Sequence, residues 1–172
     1  MPLLSALQPQ KFAMIKARLI ALTLPLLLLT VGCAHHETKK QTGLRPGSKT
    51  TVRTTAYAAC EGSSKNAIGS RLSSGQVKSA ASDWSRFPLG TKFKLLSTGE
   101  VYQIDDYGSA LIGTGTIDLF KPSRSEMSRW GVRHVDIQIL EWGSPDKSLE
   151  VLAPRAGNSM VRPMVAGLRA QS

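Results

Sequence analysis

"YQIDDYGSALIGTGTIDLF" (residues 102–120) holds three carboxylates, Asp105, Asp106 and Asp118, with no lysine or arginine among them. Like charges crowded into one segment cost free energy unless they serve a chemical purpose. The segment has a strand-like run at each end, and a glycine-containing stretch separates the two runs. It therefore predicts a β fold with a candidate acid–base site.

Strand alternation separates the three aspartates. Side chains on a strand point alternately to opposite faces, so the consecutive Asp105 and Asp106 are expected to point apart. In "TIDLF" (116–120), Asp118 lies opposite the apolar side chains of its strand. If the two strands lie close together, Asp106 and Asp118 converge, whereas Asp105 does not.

Residues 50–142 contain several more short strand patterns and one good helix pattern. In "SRSEMSRWG" (123–131), Ser123 and Glu126 form a capping box and Gly131 occupies the position of a C-terminal cap. Many short strands with a single short helix favour a small, mainly β barrel. The strand patterns lie at residues 50–58, 91–96, 100–106, 114–120 and 133–140.

The first 32 residues are expected to be a signal peptide. Basic residues precede an apolar run of about a dozen residues, which is typical of secretory signals and shorter than the roughly 20 residues of a membrane span. Gly32 followed by Cys33 resembles the lipobox of bacterial lipoproteins, which implies lipidation of Cys33. The following Ala34 favours the outer membrane. Simple secretion and a plain membrane anchor are the alternatives.

The flanking segments are expected to have little structure. Residues 33–49 are polar and predict a flexible tether, and residues 143–172 predict a basic, poorly ordered tail. His35 and His36 are interpreted as tether residues. Cys60 is interpreted as a spectator thiol, although it can pair with Cys33 if that residue is not lipidated.

The excess of basic over acidic residues lies mainly outside the globular segment. Residues 55–142 contain ten basic and nine acidic residues, whereas the whole chain has a net charge of +10. A nucleic-acid partner is therefore not expected, since such proteins carry a basic patch on the fold itself. Basic arms fit anionic phospholipid or cell-wall polymer, or are simply solvated linkers. No cluster has metal-ligand spacing, and no cofactor is expected.

Five motifs occur in an order that resembles the 3D domain, a family named for three aspartates. The same region is similar to the C-terminal part of membrane-bound lytic transglycosylase A. The resemblance covers residues 50–142 and implies a double-psi β-barrel with a glycan-binding groove. The motifs are "TAY" (55–57), "LSSG" (72–75), "AASDWSRFPLGTKFKL" (80–95), "DYGSALIGTGTIDLF" (106–120) and "RWGVRHVDIQIL" (129–140).

The resemblance implies a peptidoglycan lytic transglycosylase, a lyase that cleaves the β-1,4 bond between N-acetylmuramic acid and N-acetylglucosamine and leaves a 1,6-anhydro product. The three family aspartates fall on Asp83, Asp106 and Asp118, and Asp118 takes the role of acid and base. Glycosidases generally use two carboxylates. A transglycosylase uses the C6 hydroxyl of the sugar as nucleophile, so one carboxyl group can act twice. It needs a pKa above the usual value of about 3.9, which burial and the charge of Asp106 favour.

Other positions have weaker functional interpretations. Asp83 either lines the groove or caps a loop, and Tyr57 either stacks on a sugar or packs in the core. Glycan contacts are also expected at Ser74, Gly108, Ser109 and Gly113, for which ordinary turn roles are the alternative. A non-catalytic module that binds glycan strands and tethers envelope layers remains the rival function, and a purely structural lipoprotein domain is a third.

Overall fold

The computed structural model describes residues 44–59 and 64–171. The predicted signal peptide, Cys33, Cys60 and most of the predicted tether lie outside these residues. Along the part of the chain that the structure describes, no helix has the length and apolar character needed to span a membrane. The strands are β1 (Lys49–Ala58), β2 (Val77–Ala81), β3 (Lys92–Leu95), β4 (Val101–Asp106), β5 (Ile117–Lys121) and β6 (Arg133–Glu141). The helices are α1 (Arg124–Trp130), α2 (Pro145–Leu152) and α3 (Arg162–Arg169).

The six strands close into a barrel in the order β1-β5-β2-β4-β3-β6. The β1–β5 and β2–β4 pairs are parallel, and the other neighbouring pairs are antiparallel. The predicted class, a mainly β protein built on a small barrel, is confirmed. Alternate residues of the strands fill the interior with apolar side chains, among them Val52, Phe93, Tyr102, Ile104, Ile117, Leu119, Ile137 and Ile139.

Helix α1 forms where the capping pattern predicts it. The Ser123 side chain accepts a hydrogen bond from the backbone N–H of Glu126, and Gly131 ends the helix with φ of +62°. A left-handed φ favours glycine because it has no Cβ. The local chemistry of this segment therefore determines both ends of the helix.

The expected lack of order in residues 143–172 is wrong. This segment forms α2 and α3, which bury Leu152, Val161, Met164 and Leu168 in the same apolar core as the barrel. Each helix has only eight residues, so neither shows a sustained period in the sequence. Isolated helices of this length are marginal in water, and packing against the barrel stabilises them. Residues 44–59 and 64–171 therefore contain three short α-helices rather than one.

Gly143 joins β6 to α2 at a close approach of two backbone segments. A Cβ at this position would lie 2.3 Å from the carbonyl oxygen of Pro88 and 2.6 Å from the amide nitrogen of Thr91. The Gly143 N–H donates to Thr91 Oγ1 at 3.0 Å, and the next N–H, of Ser144, donates to the Leu89 carbonyl. These contacts attach the C-terminal helices to the loop before β3.

We expect Gly143→Ala to destabilise the fold by about 1–3 kcal/mol, the usual range for overpacking a rigid site. The neighbouring atoms belong to the backbone and cannot rotate away. Gly157→Ala is the matched control, because no atom lies within 4 Å of a Cβ there. Urea unfolding followed by circular dichroism measures both. Equal midpoints for the two variants would contradict the close approach.

Candidate functional site

An open cleft of about 840 Å³ lies against the outer face of the barrel wall. Of the residues predicted from the sequence, Tyr57, Asp106, Gly108, Ser109 and Asp118 line it. The structure thus gathers residues from β1, β4, β5 and the loop after β4 at one place. Ser74, Asp83 and Gly113 are not among the lining residues.

A row of four paired residues crosses the floor of this cleft. Thr55 on β1 pairs with Asp118 on β5, which pairs with Ala81 on β2, which in turn pairs with Asp106 on β4. Residues paired across neighbouring strands point to the same side of a sheet. Asp118 and Asp106 therefore face the same solvent space, and the small side chain of Ala81 keeps the space between them open.

A β-bulge in β4 places Asp106 in this row. Ala80 pairs with Ile104, but the next residue, Ala81, pairs with Asp106, so Asp105 is an extra residue in β4. Without the bulge, alternation would pair Ala81 with Asp105 and turn Asp106 toward the core beside Ile104. The convergence of Asp106 and Asp118 thus depends on the irregularity of the strand.

The bulge also overturns one expectation for Asp105. The sequence predicts that Asp105 and Asp106 point to opposite faces, yet Asp105 lies on the same side of the wall. Its Oδ2 accepts hydrogen bonds from Ser79 Oγ at 2.6 Å and from Asn66 Nδ2 at 2.9 Å. Its Oδ1 is buried and makes no hydrogen bond with the described residues. Asp105 thus forms a buried carboxylate behind the cleft.

Tyr57 stands close to all three carboxylates of the opening segment. Burial first, and then the charges of Asp106, Asp105 and Asp118, raise the pKa of its phenol. The hydroxyl is buried, and its raised pKa keeps it protonated, so it can donate a hydrogen bond toward the carboxylates, Asp106 first. Its ring packs against Phe120 with 5.5 Å between the centroids. Tyr57 therefore both packs against a neighbouring aromatic side chain and lines the cleft.

Asp106 is the carboxyl group most clearly tuned by its surroundings. Burial raises its pKa to about 6, and the charge of Asp105 acts in the same direction. Hydrogen bonds from the backbone N–H groups of Tyr107 and Ala67 oppose the rise. A group with this pKa is protonated in roughly one molecule in ten at pH 7. Asp106 can therefore give up or accept a proton near neutral pH.

Asp118 is held by a different contact. Its Oδ1 accepts a hydrogen bond from Thr55 Oγ1 at 2.6 Å, and Thr55 is its partner across the β1–β5 pair. The side chain is partly exposed and lines the cleft. The hydroxyl orients one carboxyl oxygen, so the rotamer of Asp118 is set before any ligand arrives.

Asp83 supports the loop that follows β4 instead of lining the cleft. It is 2% exposed, and its Oδ1 accepts from both the backbone N–H and the hydroxyl of Ser85. Its Oδ2 accepts from the N–H of Gly113 at 2.7 Å, where the backbone has φ of +78°. Asp83 and Gly113 together fix the far end of the loop that carries Gly108 and Ser109 into the cleft.

Several lining residues were not predicted from the sequence, among them Arg53, Thr55, Lys65 and Asn66. Arg53 lies two residues before Thr55 on β1, so strand alternation from Tyr57 would have found it. Its Nη1 donates to Thr116 Oγ1 at 3.1 Å. Lys65 and Asn66 come from an irregular loop, where no periodic pattern identifies them. Within residues 44–59 and 64–171, no group of three or more His, Cys, Asp or Glu side chains is arranged to hold a metal ion.

Comparison with known proteins identifies the segment that contains the aspartates. A family model described as the 3D domain matches residues 78–141, so this segment is a 3D domain and the resemblance drawn from the motifs is confirmed. Asp83, Asp106 and Asp118 all lie within the match.

Two curated relatives come from Bacillus subtilis (strain 168). The cell wall-binding protein YocH is 39% identical over 93 residues, which cover 52% of this chain and 32% of that protein. The putative cell wall shaping protein YabE is 39% identical over 97 residues, which cover 55% of this chain and 23% of that protein. The chain therefore spans a third or less of the length of these relatives.

We expect Asp105→Asn to lower the pKa of Asp106 below about 6 while leaving it above its ordinary value. The substitution removes the charge of Asp105 but keeps the burial of Asp106, which is the larger cause of the shift. A ¹³C NMR titration of the Asp106 carboxyl carbon measures the effect. Asp136→Asn removes an exposed carboxylate on β6 and serves as the control. An unchanged titration of Asp106 in Asp105→Asn would refute the coupling.

We expect Asp106 to make the folded state less stable as pH rises. Its folded pKa of about 6 exceeds the unfolded value of 3.8, so between these values the folded state binds more protons than the unfolded state. The stability that its protonated form contributes is complete below about pH 4 and is lost by about pH 7.

Asp106→Asn cannot ionise, so it isolates this effect. The difference in unfolding free energy, variant minus wild type, should grow between about pH 4 and pH 7 and then level off. Urea unfolding at several pH values tests this. A difference that stays constant across the range would show that Asp106 titrates normally.

Proposed function

We propose that the chain acts on peptidoglycan in the cell envelope as a lytic transglycosylase. The observation that carries this proposal is the row Thr55–Asp118–Ala81–Asp106, which brings two carboxyl groups from different strands to the floor of one open cleft. The 3D domain and relatives named for binding and shaping the cell wall support the substrate class. The bond cleaved is the β-1,4 linkage from N-acetylmuramic acid to N-acetylglucosamine.

In this mechanism Asp118 acts first as acid and then as base. Its carboxyl group protonates the glycosidic oxygen as the bond to the anomeric carbon breaks, and N-acetylglucosamine leaves with that proton. The resulting carboxylate takes the proton of the C6 hydroxyl, and O6 bonds to the anomeric carbon. The proton returns to Asp118, no water is consumed, and the product is a 1,6-anhydro sugar.

The surrounding residues have supporting roles in the proposal. Thr55 orients Asp118 through its 2.6 Å hydrogen bond. Asp106, when ionised, stabilises the positive charge that develops at the anomeric carbon, as carboxylates do in other glycan-cleaving sites. Tyr57 donates toward the carboxylates, and Gly108 and Ser109 form a wall of the cleft that contacts the glycan. Asp83 and Gly113 hold the loop that carries that wall.

A non-catalytic glycan-binding module is the second candidate. It is favoured by the name of one relative, a cell wall-binding protein. In this case the cleft holds glycan strands without cutting them, and the carboxyl groups accept hydrogen bonds from sugar hydroxyls. Loss of one carboxylate would then weaken binding modestly instead of removing an activity.

We place the protein at the outer membrane, with Cys33 as the lipidated residue and the barrel facing the periplasm. The basic segment before β1 then lies between an anionic membrane surface and the cell wall, where it is attracted to both. Peptidoglycan strands are the proposed partner, and neither a cofactor nor a nucleic acid enters the proposal.

Asp118→Asn should abolish 1,6-anhydro muropeptides when the purified full chain is incubated with peptidoglycan sacculi. Asparagine keeps the shape of the side chain but cannot transfer the proton, and losing a general acid–base group typically costs about 10²–10⁴-fold in rate. Mass spectrometry of the soluble products measures the effect. Asp136→Asn, which removes a carboxylate outside the cleft, should leave the products unchanged.

Other outcomes would replace the proposal. Products with reducing ends would identify a hydrolase, in which Asp106 is the second catalytic carboxyl group. Binding of the wild type to sacculi with no soluble product would favour the non-catalytic module. Circular dichroism of each variant verifies that the fold is retained.

A further inference from the structure

A second cleft, of about 670 Å³, shares no lining residue with the aspartate cleft. It lies between helix α1 and residues of β2, β5 and the turn before β4. Six ionisable side chains line it, four of them cationic and two anionic: Lys78, Lys121, Arg129, Arg133, Glu100 and Glu126. Its formal charge is therefore positive, whereas in the first cleft the two aspartates are balanced by Arg53 and Lys65.

Lys121 is the most buried of these cations. It is 8% exposed, and its Nζ donates to the Tyr102 hydroxyl at 2.7 Å and lies 4.5 Å from the ring centroid of Trp130. Burial lowers the pKa of this ammonium, and the charge of Lys78 acts in the same direction. A buried charge is costly unless it is well compensated.

Compensation of Lys121 by Glu100 is only partial. The two groups are 3.8 Å apart, and Glu100 forms a shorter ion pair with Lys78. Glu100 is thus shared between Lys78 and Lys121. Lys121 is the more buried of the two, and it lies farther from the carboxylate. The charge of Glu126 also acts on Lys121. With four cationic and two anionic side chains in the lining, the cleft still keeps a net positive charge at a place where water screens it weakly.

The arginines add fixed positive charge at the same cleft. Arg133 donates to the backbone carbonyls of Trp130 and Arg129, and its guanidinium lies 4.4 Å from the Trp130 ring centroid. These contacts hold Arg133 in place. The Arg129 side chain is exposed along the edge of the cleft. An incoming anion therefore meets the guanidinium of Arg133, which is already held in place, and the exposed guanidinium of Arg129.

We propose that this second cleft binds a carboxylate-bearing sugar. The cations supply the site for the carboxylate, and Glu100, Glu126, Thr98 and Ser74 supply acceptors and donors for ring hydroxyl groups. Inorganic phosphate carries more negative charge than one carboxylate and has few P–OH donors, so the two glutamates repel it more strongly than they repel a sugar with several hydroxyl donors. Ser74, for which the sequence predicts a glycan contact, thus has such a role at this cleft instead of beside the aspartates.

The experiment compares N-acetylmuramic acid with N-acetylglucosamine, two sugars that differ only in the lactyl ether on O3, which carries the carboxylate. The purified full chain is ¹⁵N-labelled, and its three tryptophan indole groups are observed by NMR. The Trp130 indole N–H donates to Thr54 Oγ1 beside the cleft and reports on it. Trp84 and Trp142 do not line the cleft and are internal references.

We expect N-acetylmuramic acid to shift the Trp130 indole signal saturably, while N-acetylglucosamine and inorganic phosphate at the same concentration do not. Arg129→Gln should weaken the apparent affinity by about fivefold, which corresponds to one exposed charge contact. Arg162→Gln makes the same charge change on α3, outside this cleft, and should leave the affinity unchanged.

Equal shifts with the two sugars, displacement of N-acetylmuramic acid by an equal concentration of phosphate, or an affinity unchanged in Arg129→Gln would each overturn the proposal. Asp118→Asn should bind N-acetylmuramic acid as the wild type does. This readout requires no cleavage, so it separates failure of the second cleft from failure of the transglycosylase proposal.

Discussion

The extra residue in β4 is the constraint on which the candidate site depends. Because Ala81 pairs with Asp106 and not with Asp105, the register of β4 changes by one residue at its end, and Asp106 turns out of the core to face solvent beside Asp118. A strict strand would direct the Asp106 carboxylate into an interior filled by Ile104, Ile117 and Leu119, at a large cost in desolvation. A local irregularity of the backbone thus decides whether two aspartates can meet.

This arrangement brings three carboxyl groups close together, and hydrogen bonds from the rest of the wall partly stabilise their negative charge. Asp105 is held by Ser79 and Asn66, and Asp118 is held by Thr55. Asp106 has only backbone donors and the nearby phenol of Tyr57 against its burial, and it has the strongly raised pKa. Burial outweighs the donors around Asp106, so this carboxyl group stays partly protonated near neutral pH. A carboxyl group with a strongly shifted pKa is expected at sites whose chemistry needs that group to be protonated near neutral pH.

Regular features of the structure could be predicted from the sequence, and irregular ones could not. Alternation gave the buried faces of the strands, and the capping box at Ser123 gave helix α1, because both depend on neighbours in the chain. The side of the wall that Asp105 faces depends on pairing with β2, which no local pattern reveals. The C-terminal helices were missed because each has only two turns and is stabilised by contacts with the barrel. The loop residue Asn66 joins the site through a partner 39 positions away.

Closure of the barrel joins residues that are far apart in the chain. Strand β1 lies between β5 and β6, and one of its side chains, Thr51, hydrogen-bonds to Asp136, 85 positions later. Contacts of such long range slow folding, since a large loop must close before any pairing stabilises it. During synthesis β1 therefore has no neighbour until most of the chain has been made. The emerging polypeptide cannot close the barrel during that time, and a chain without a closed barrel is the form that can be threaded through a narrow channel.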